Sequence, residues 1–334
     1  MRTPKYLSHS ALKTFEDKRE EYFLKYIADD RPPRLPQTQP MSVGSAFDAF
    51  VKAYMYKEIF GRVDEKFEFT KLFESQVEEQ NRDWALKAGA HVFAAYKKSG
   101  SCADLLLEMG RSTTDPVFEL GLEVTLSHGG HDIRLKGYPD LRYTSRTGKW
   151  IIRDWKVNGY CGKSATSPKA GFVVIRDGWD PSLGASRGAN KPHKNAVLEV
   201  VDGVRINTAV HIHQVNPTWA DQLCMYAWML GVPVGDQFIA GIEQCVAKPN
   251  GSEFPDLRFA RFQSLADPTE QKNLWTRLAH MWVSVQSGYI FNGVATDRQD
   301  SDDRCAALEK FYKKADNPQD AWLQDLTRDT RYFG

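Results

Sequence analysis

The chain has 334 residues, 42% hydrophobic and 26% charged, which is enough for one large domain or two ordinary ones, each burying a core. A formal net charge of +1 supplies no global pull toward an anionic partner, so any nucleic-acid contact must come from a local basic patch. No run of about 18 apolar residues and no basic-then-apolar leader occurs, which argues against a helical membrane span or a secretory signal; the expectation is a cytoplasmic protein with no membrane partner.

Cys102, Cys161, Cys224, Cys245 and Cys305 are scattered without a CxxC pair, against a zinc ribbon or a disulfide framework. From Tyr6 to Ile27, Leu12, Phe15, Tyr22, Phe23 and Tyr26 recur at helical spacing behind the candidate caps Ser8 and Ser10. Pro32, Pro33, Pro36 and Pro40 mark the next stretch as a loop. Gly44 to Ile59 predicts a second helix whose apolar stripe of Phe47, Phe50, Val51, Tyr54 and Ile59 surrounds Asp48. A carboxylate there is either an ordinary ion pair with Lys52, four residues on, or is held by another cation. Asp64 to Gly110 reads as mainly helical, and Val117 to Leu126 as the first strand, carrying Glu123.

The stretch that organises the chain follows. Ile133 to Tyr143 and Lys149 to Val157 read as two strands joined by the turn-forming Thr144-Ser145-Arg146-Thr147-Gly148. Strand alternation puts Ile152, Asp154 and Lys156 on one face, and Asp140 near Asp154 across the pair. Two carboxylates this close destabilise each other unless a cation is present, and a hard divalent ion such as magnesium takes one or two carboxylates plus a substrate phosphate oxygen. Lys156 could then orient the nucleophile and offset charge developing on phosphorus. The competing reading is a half-exposed hairpin with ordinary surface charges.

Asn158 to His211 is rich in glycine, and Lys163, Lys169, Arg187, Lys191 and Lys194 contribute to an excess of basic residues. It suits either a clamp on a phosphate backbone or a merely solvated loop; Phe172 to Ile175 and Ala196 to Ile206 could add a small hairpin. His211 and His213 have no third partner at a recurrent spacing and read as solvent or core histidines. Asn216-Pro217 starts a helix that Gly231-Val232-Pro233 ends, with Gln222 and Tyr226 on one face. Gln237 to Ala247 and Leu257 to Leu265 read as strands, Asp267 to Phe291 as a long helix, and the rest as a charged tail.

Pro139-Asp140, thirteen residues, then Asp154-Trp155-Lys156 resembles the core of the PD-(D/E)XK nuclease superfamily. Gln222 to Tyr226 resembles the QxxxY motif of its RecB-like exonuclease branch, and Gly44 to Asp48 the first motif of that branch, with aspartate where many relatives have histidine. The resemblance implies an α/β (α+β) restriction-endonuclease-like fold in which helices flank a central mixed sheet. As a single domain it would comprise a helical part (about 1–115), a catalytic core (about 116–291) with the basic insertion (about 158–211), and a tail (about 292–334). It implies a Mg2+- or Mn2+-dependent deoxyribonuclease, an exonuclease of recombination, repair or phage DNA processing, working beside a separate helicase or recombination protein. Asp140, Asp154, the Trp155 carbonyl and Asp48 would bind metal, Glu123 would be a further ligand, an outer-shell partner or just an exposed strand charge, and Lys156 would handle the attacking water. Gln222, Tyr226 and the basic residues of the insertion would hold DNA. Some relatives bind an iron-sulfur cluster; with Asp17 and Lys18 at the early position and Cys305 alone, none is expected here. The alternative is a nuclease fold that binds DNA without cutting it, as a scaffold.

Overall fold

The computed structural model describes residues 3–29, 36–62, 64–118, 121–175 and 198–288. In chain order come α1 (His9–Asp17), α2 (Arg19–Tyr22), a π-helical turn (Phe23–Ile27), α3 (Gln39–Phe60), α4 (Phe69–Gln76), α5 (Arg82–Lys98) and α6 (Ser101–Met109). Then follow β1 (Val117–Phe118), β2 (Leu122–His128), β3 (His131–Gly137), β4 (Leu141–Thr144), β5 (Trp150–Asn158) and β6 (Val173–Ile175). The remaining elements are β7 (Leu198–Val201), β8 (Val204–Asn207), α7 (Ile212–Val215), α8 (Pro217–Met229), β9 (Ile239–Lys248), β10 (Asp256–Leu265) and α9 (Pro268–Ser287). None of these helices is long and apolar enough to cross a membrane.

The chain divides into two compact units. One lies within Met1–Leu35, Leu122–Gly137 and Lys272–Gly334. There α1 begins where the Ser8 hydroxyl accepts the Ala11 N–H at 3.2 Å, and buries Ala11, Leu12 and Phe15. β2 and β3 pair antiparallel as a separate two-stranded sheet, turning through Gly129 and Gly130, whose φ of 58° and 79° suit glycine.

The other unit spans Pro36–Gly121 and Tyr138–Gln271. Its mixed sheet of eight strands runs β1-β4-β5-β9-β10-β8-β7, with β6 added beside β10. β5 is parallel to β9, and β8 to β10; the other pairs are antiparallel. Flanked by β4 and β9, β5 is buried from Ile151 through Trp155. The core gathers Val43, Phe47 and Val51 of α3, Val92 and Tyr96 of α5, and Ile151 and Trp155 of β5.

The sheet departs from the expected strands at two places. The run expected from Val117 to Leu126 is split between β1 of the large sheet and β2 of the separate hairpin, and the run from Ile133 to Tyr143 between β3 and β4. At Gly121 a side chain has no room, because a Cβ would stand 2.8 Å from the Tyr138 ring. At the second break sits Pro139, which cannot donate to a ladder. In the region after β5, Val173–Ile175 joins β10 instead of forming a hairpin with Ala196 to Ile206, while β7 and β8 make their own hairpin through Asp202-Gly203.

α3 and α5 cross closely at Gly89, where a Cβ would lie 2.6 Å from that of Ala46. Helix propensity alone would make Gly89→Ala stabilising by roughly 1 kcal/mol. The crossing reverses the sign, and a loss of about 1–3 kcal/mol in chemical denaturation is expected; a gain would contradict the packing.

Candidate active site

The site begins with an interrupted ladder. Leu141 stands opposite Arg153, and the Ser145 N–H donates to the Lys149 carbonyl at 2.8 Å. Hydrogen-bonded pairs therefore fall at 145/149, 143/151 and 141/153, and the next would join 139 to 155. Position 139 is proline, without an N–H to return. The Trp155 N–H, whose ladder acceptor would be the carbonyl of residue 139, donates to Asp140 Oδ2 at 3.2 Å. On the same strand edge, the Trp155 carbonyl is left without the ladder donor that position 139 would have supplied.

One residue either side of Trp155, on the other face of the pleat, stand Asp154 and Lys156, which form an ion pair. Asp154 is only 3% exposed. Lys156 Nζ also donates to Gln222 Oε1 at 2.9 Å, and Gln222 Nε2 donates to the Tyr226 hydroxyl at 2.8 Å. α8 puts those two residues one turn apart; it starts cleanly because Asn216 Oδ1 accepts the Trp219 N–H at 3.2 Å and Pro217 occupies its first turn. From α3, Lys52 Nζ lies 2.7 Å from Asp48 Oδ2 and 3.3 Å from Asp140 Oδ1. Gln76 Nε2 donates to the same Asp48 oxygen at 3.0 Å.

The two central carboxylates titrate apart. Burial pushes Asp154 well above the usual carboxylate range, more than the Lys156 ammonium lowers it, and the neighbouring Asp140 charge pushes the same way. Burial acts on Asp140 as well, but there Lys52, the hydrogen bond from Asp154, Lys156 and the Trp155 N–H together outweigh it and hold the carboxyl below its ordinary value. The pair thus splits, Asp140 shifted toward its ionised form and Asp154 toward its protonated one.

The donor set fits a hard divalent ion. The buried Asp154 carboxylate, the partly buried Asp140 carboxylate and a carbonyl without its ladder donor converge beside Lys156, and magnesium takes such oxygen ligands while keeping several waters. Among the described residues no group of three or more His, Cys, Asp and Glu forms a metal cage, so water and a substrate phosphate would have to complete the coordination. A family model of the PD-(D/E)XK nuclease superfamily matches residues 6–171. The chain belongs to this superfamily. The matched residues of this PD-(D/E)XK protein include Pro139, Asp140, Asp154 and Lys156, while Gln222 and Tyr226 lie beyond them. No curated protein matches the chain. A solved structure described as "Crystal structure of SSO0001" is similar over 84% of this chain and 88% of its own, at 13% identity and a TM-score of 0.26, a superposition too loose to bear on the fold.

The structure thus brings Asp48, Asp140, Asp154, Lys156, Gln222 and Tyr226 together. Glu123 lies in the other unit, paired with Lys136 at 2.6 Å on the β2–β3 hairpin. The loop after β5 is tied down where Lys169 N–H donates to Gln244 Oε1 at 3.1 Å and Thr166 N–H to the Ala247 carbonyl at 2.8 Å. Lys163 is exposed on that loop, and Arg187, Lys191 and Lys194 lie outside the described residues. His211 is bonded through Nδ1 to the Leu265 carbonyl at 2.9 Å and stacks on His213. Sequence reasoning missed Gln76 and Gln244, and reduced Lys52 to an ordinary helix pair; the one signal for Lys52 was its place four residues from an aspartate embedded in an apolar stripe.

The opposed titrations give opposite mutational signs. Asp154→Asn should stabilise the metal-free protein at pH 7 by about 0.5–2 kcal/mol, as relief of active-site strain does elsewhere. This gain vanishes below the ordinary aspartate value of 3.8, where the carboxyl is protonated folded or unfolded, and grows as pH rises toward the folded value. Asp140→Asn should cost about 1–3 kcal/mol by depriving buried Lys52 of a partner. Chemical denaturation in chelator measures both; equal signs would contradict the assignment.

Proposed function

We propose that the protein is a divalent-metal-dependent deoxyribonuclease of the RecB-like branch, acting as an exonuclease. The observation that carries this is the chain of contacts from Asp140 and Asp154 through Lys156 to Gln222 and Tyr226, which joins separate stretches of sequence at one point. Membership of a nuclease superfamily supports DNA as the substrate.

Asp140, Asp154 and the Trp155 carbonyl are the residues that would hold magnesium or manganese. The ion, when bound, supplies Lewis acidity toward a phosphate oxygen and a more acidic water. Lys156, steadied by Gln222, orients the attacking water and offsets the negative charge growing on the phosphoryl oxygens. The water oxygen forms a bond to phosphorus and releases a proton to solvent, the bridging P–O bond breaks, and the leaving sugar oxygen takes a proton from solvent. Tyr226, half-buried near both aspartates, fixes the Gln222 amide, so that oxygen faces Lys156 and nitrogen faces the phenol. Lys163 and Lys169, with Arg187, Lys191 and Lys194, would neutralise backbone phosphates, each contact releasing counterions. A strand end reaching this site would come from a separate helicase or recombination protein in the cell interior; buried, unpaired Cys102, Cys224 and Cys245 fit a reducing compartment.

End-labelled linear DNA and a closed circle of the same sequence, each with magnesium, manganese or chelator, provide the test. Wild type should degrade only the linear form and only with metal, and Lys156→Ala should lose about 100-fold or more in rate, the scale of a general acid–base or charge-stabilising group. Cutting of the circle would make it an endonuclease. Binding without release of nucleotide in any metal would contradict the nuclease reading and favour a non-cutting DNA-binding scaffold.

A further inference from the structure

Lys52 is 1% exposed, and an ammonium so buried persists only when paired. It sits between two carboxylates, 2.7 Å from Asp48 and 3.3 Å from Asp140. It meets Oδ2 of Asp48, which also accepts from Gln76, and Oδ1 of Asp140, whose Oδ2 takes the Trp155 N–H. The helix that carries Lys52 is locked against α5 by the Gly89 crossing, so the ammonium cannot drift without repacking. Four residues separate it from Asp48 on α3 while eighty-eight separate it from Asp140, so the contact is made by the fold and not by helix geometry alone.

Two-metal centres hold their ions about 3.5–4 Å apart, and Asp48 is a third carboxylate beside Asp140 that a second divalent ion would need as a ligand. Here a positive charge already stands between two of the three. We propose that Lys52 is the built-in cation of this site: seated between Asp48 and Asp140, it takes the place of a second divalent ion, so that the centre binds a single one. Asp48 is then the counter-ion of Lys52 and not a metal ligand, and Lys52 is a positioning residue that holds the Asp140 carboxylate in place. This rests on the reading that Asp140 and Asp154 hold a metal.

Manganese titrated into the full-length, metal-free protein by calorimetry tests the stoichiometry. Wild type, Lys52→Arg and Asp48→Asn should each bind one ion per chain. Lys52→Met should bind two, and adding Asp48→Asn to it should return the count to one. Two ions in wild type, one in Lys52→Met, or none in Asp48→Asn would overturn the proposal. Should Lys52→Met fail to fold, Asp48→Asn decides alone, since loss of the wild-type ion on removing that carboxylate makes Asp48 a ligand. The two readings separate in the same samples: one ion with this pattern of variants but no DNA cleavage contradicts the nuclease and leaves the role of Lys52 standing, whereas no manganese binding by wild type overturns both.

Discussion

A hydrogen bond that cannot form governs this site. Between β4 and β5 the ladder runs in register until it reaches Pro139, whose nitrogen carries no hydrogen. Two things follow from that single missing donor, since β4 begins only after it and the Trp155 carbonyl loses its ladder partner beside Asp154; the Trp155 N–H, on the same edge, is taken by the Asp140 carboxylate. A backbone defect that would cost stability in an ordinary sheet becomes the means of gathering oxygen donors at one point.

The strand that receives them divides its charges between its two faces. Asp154 and Lys156 look toward α8 and its Gln222, while the fully buried Arg153 turns the other way into an ion-pair network. Its guanidinium reaches Glu108 at 2.9 Å, Glu243 at 3.1 Å and the Tyr143 hydroxyl at 2.7 Å, and Arg261 meets the same two glutamates. Unpaired, a charge buried there would cost several kcal/mol, so a slip of β5 by one residue would strand both Arg153 and Asp154 on faces without partners. The network therefore fixes the register in which the face bearing Asp154 and Lys156 is presented.

Much of this was legible in the chain. Asp140, Asp154 and Lys156 lie within seventeen consecutive positions, where strand alternation and a turn suffice to predict convergence. α8 was equally readable, since Asn216-Pro217 states its start and helical spacing aligns Gln222 with Tyr226. Strand boundaries were harder: Val117 to Leu126 and Ile133 to Tyr143 have continuous β propensity, and their division depends on Gly121 passing the Tyr138 ring and on which neighbour each half pairs with. Propensity carries no information about partners. For the same reason Lys52 looked like half of a helix pair, because its second carboxylate arrives from far along the chain. The pairing of β6 with β10 and the Arg153 network are likewise long-range facts with no local signature.

The most direct test of the broken ladder as a metal centre is anomalous diffraction at the manganese edge from crystals soaked in Mn2+. A peak within about 2.0–2.2 Å of oxygens from Asp140, Asp154 and the Trp155 carbonyl is the predicted result, the range expected for a small octahedral cation. A peak elsewhere, or none at a concentration that supports DNA cleavage, would contradict it.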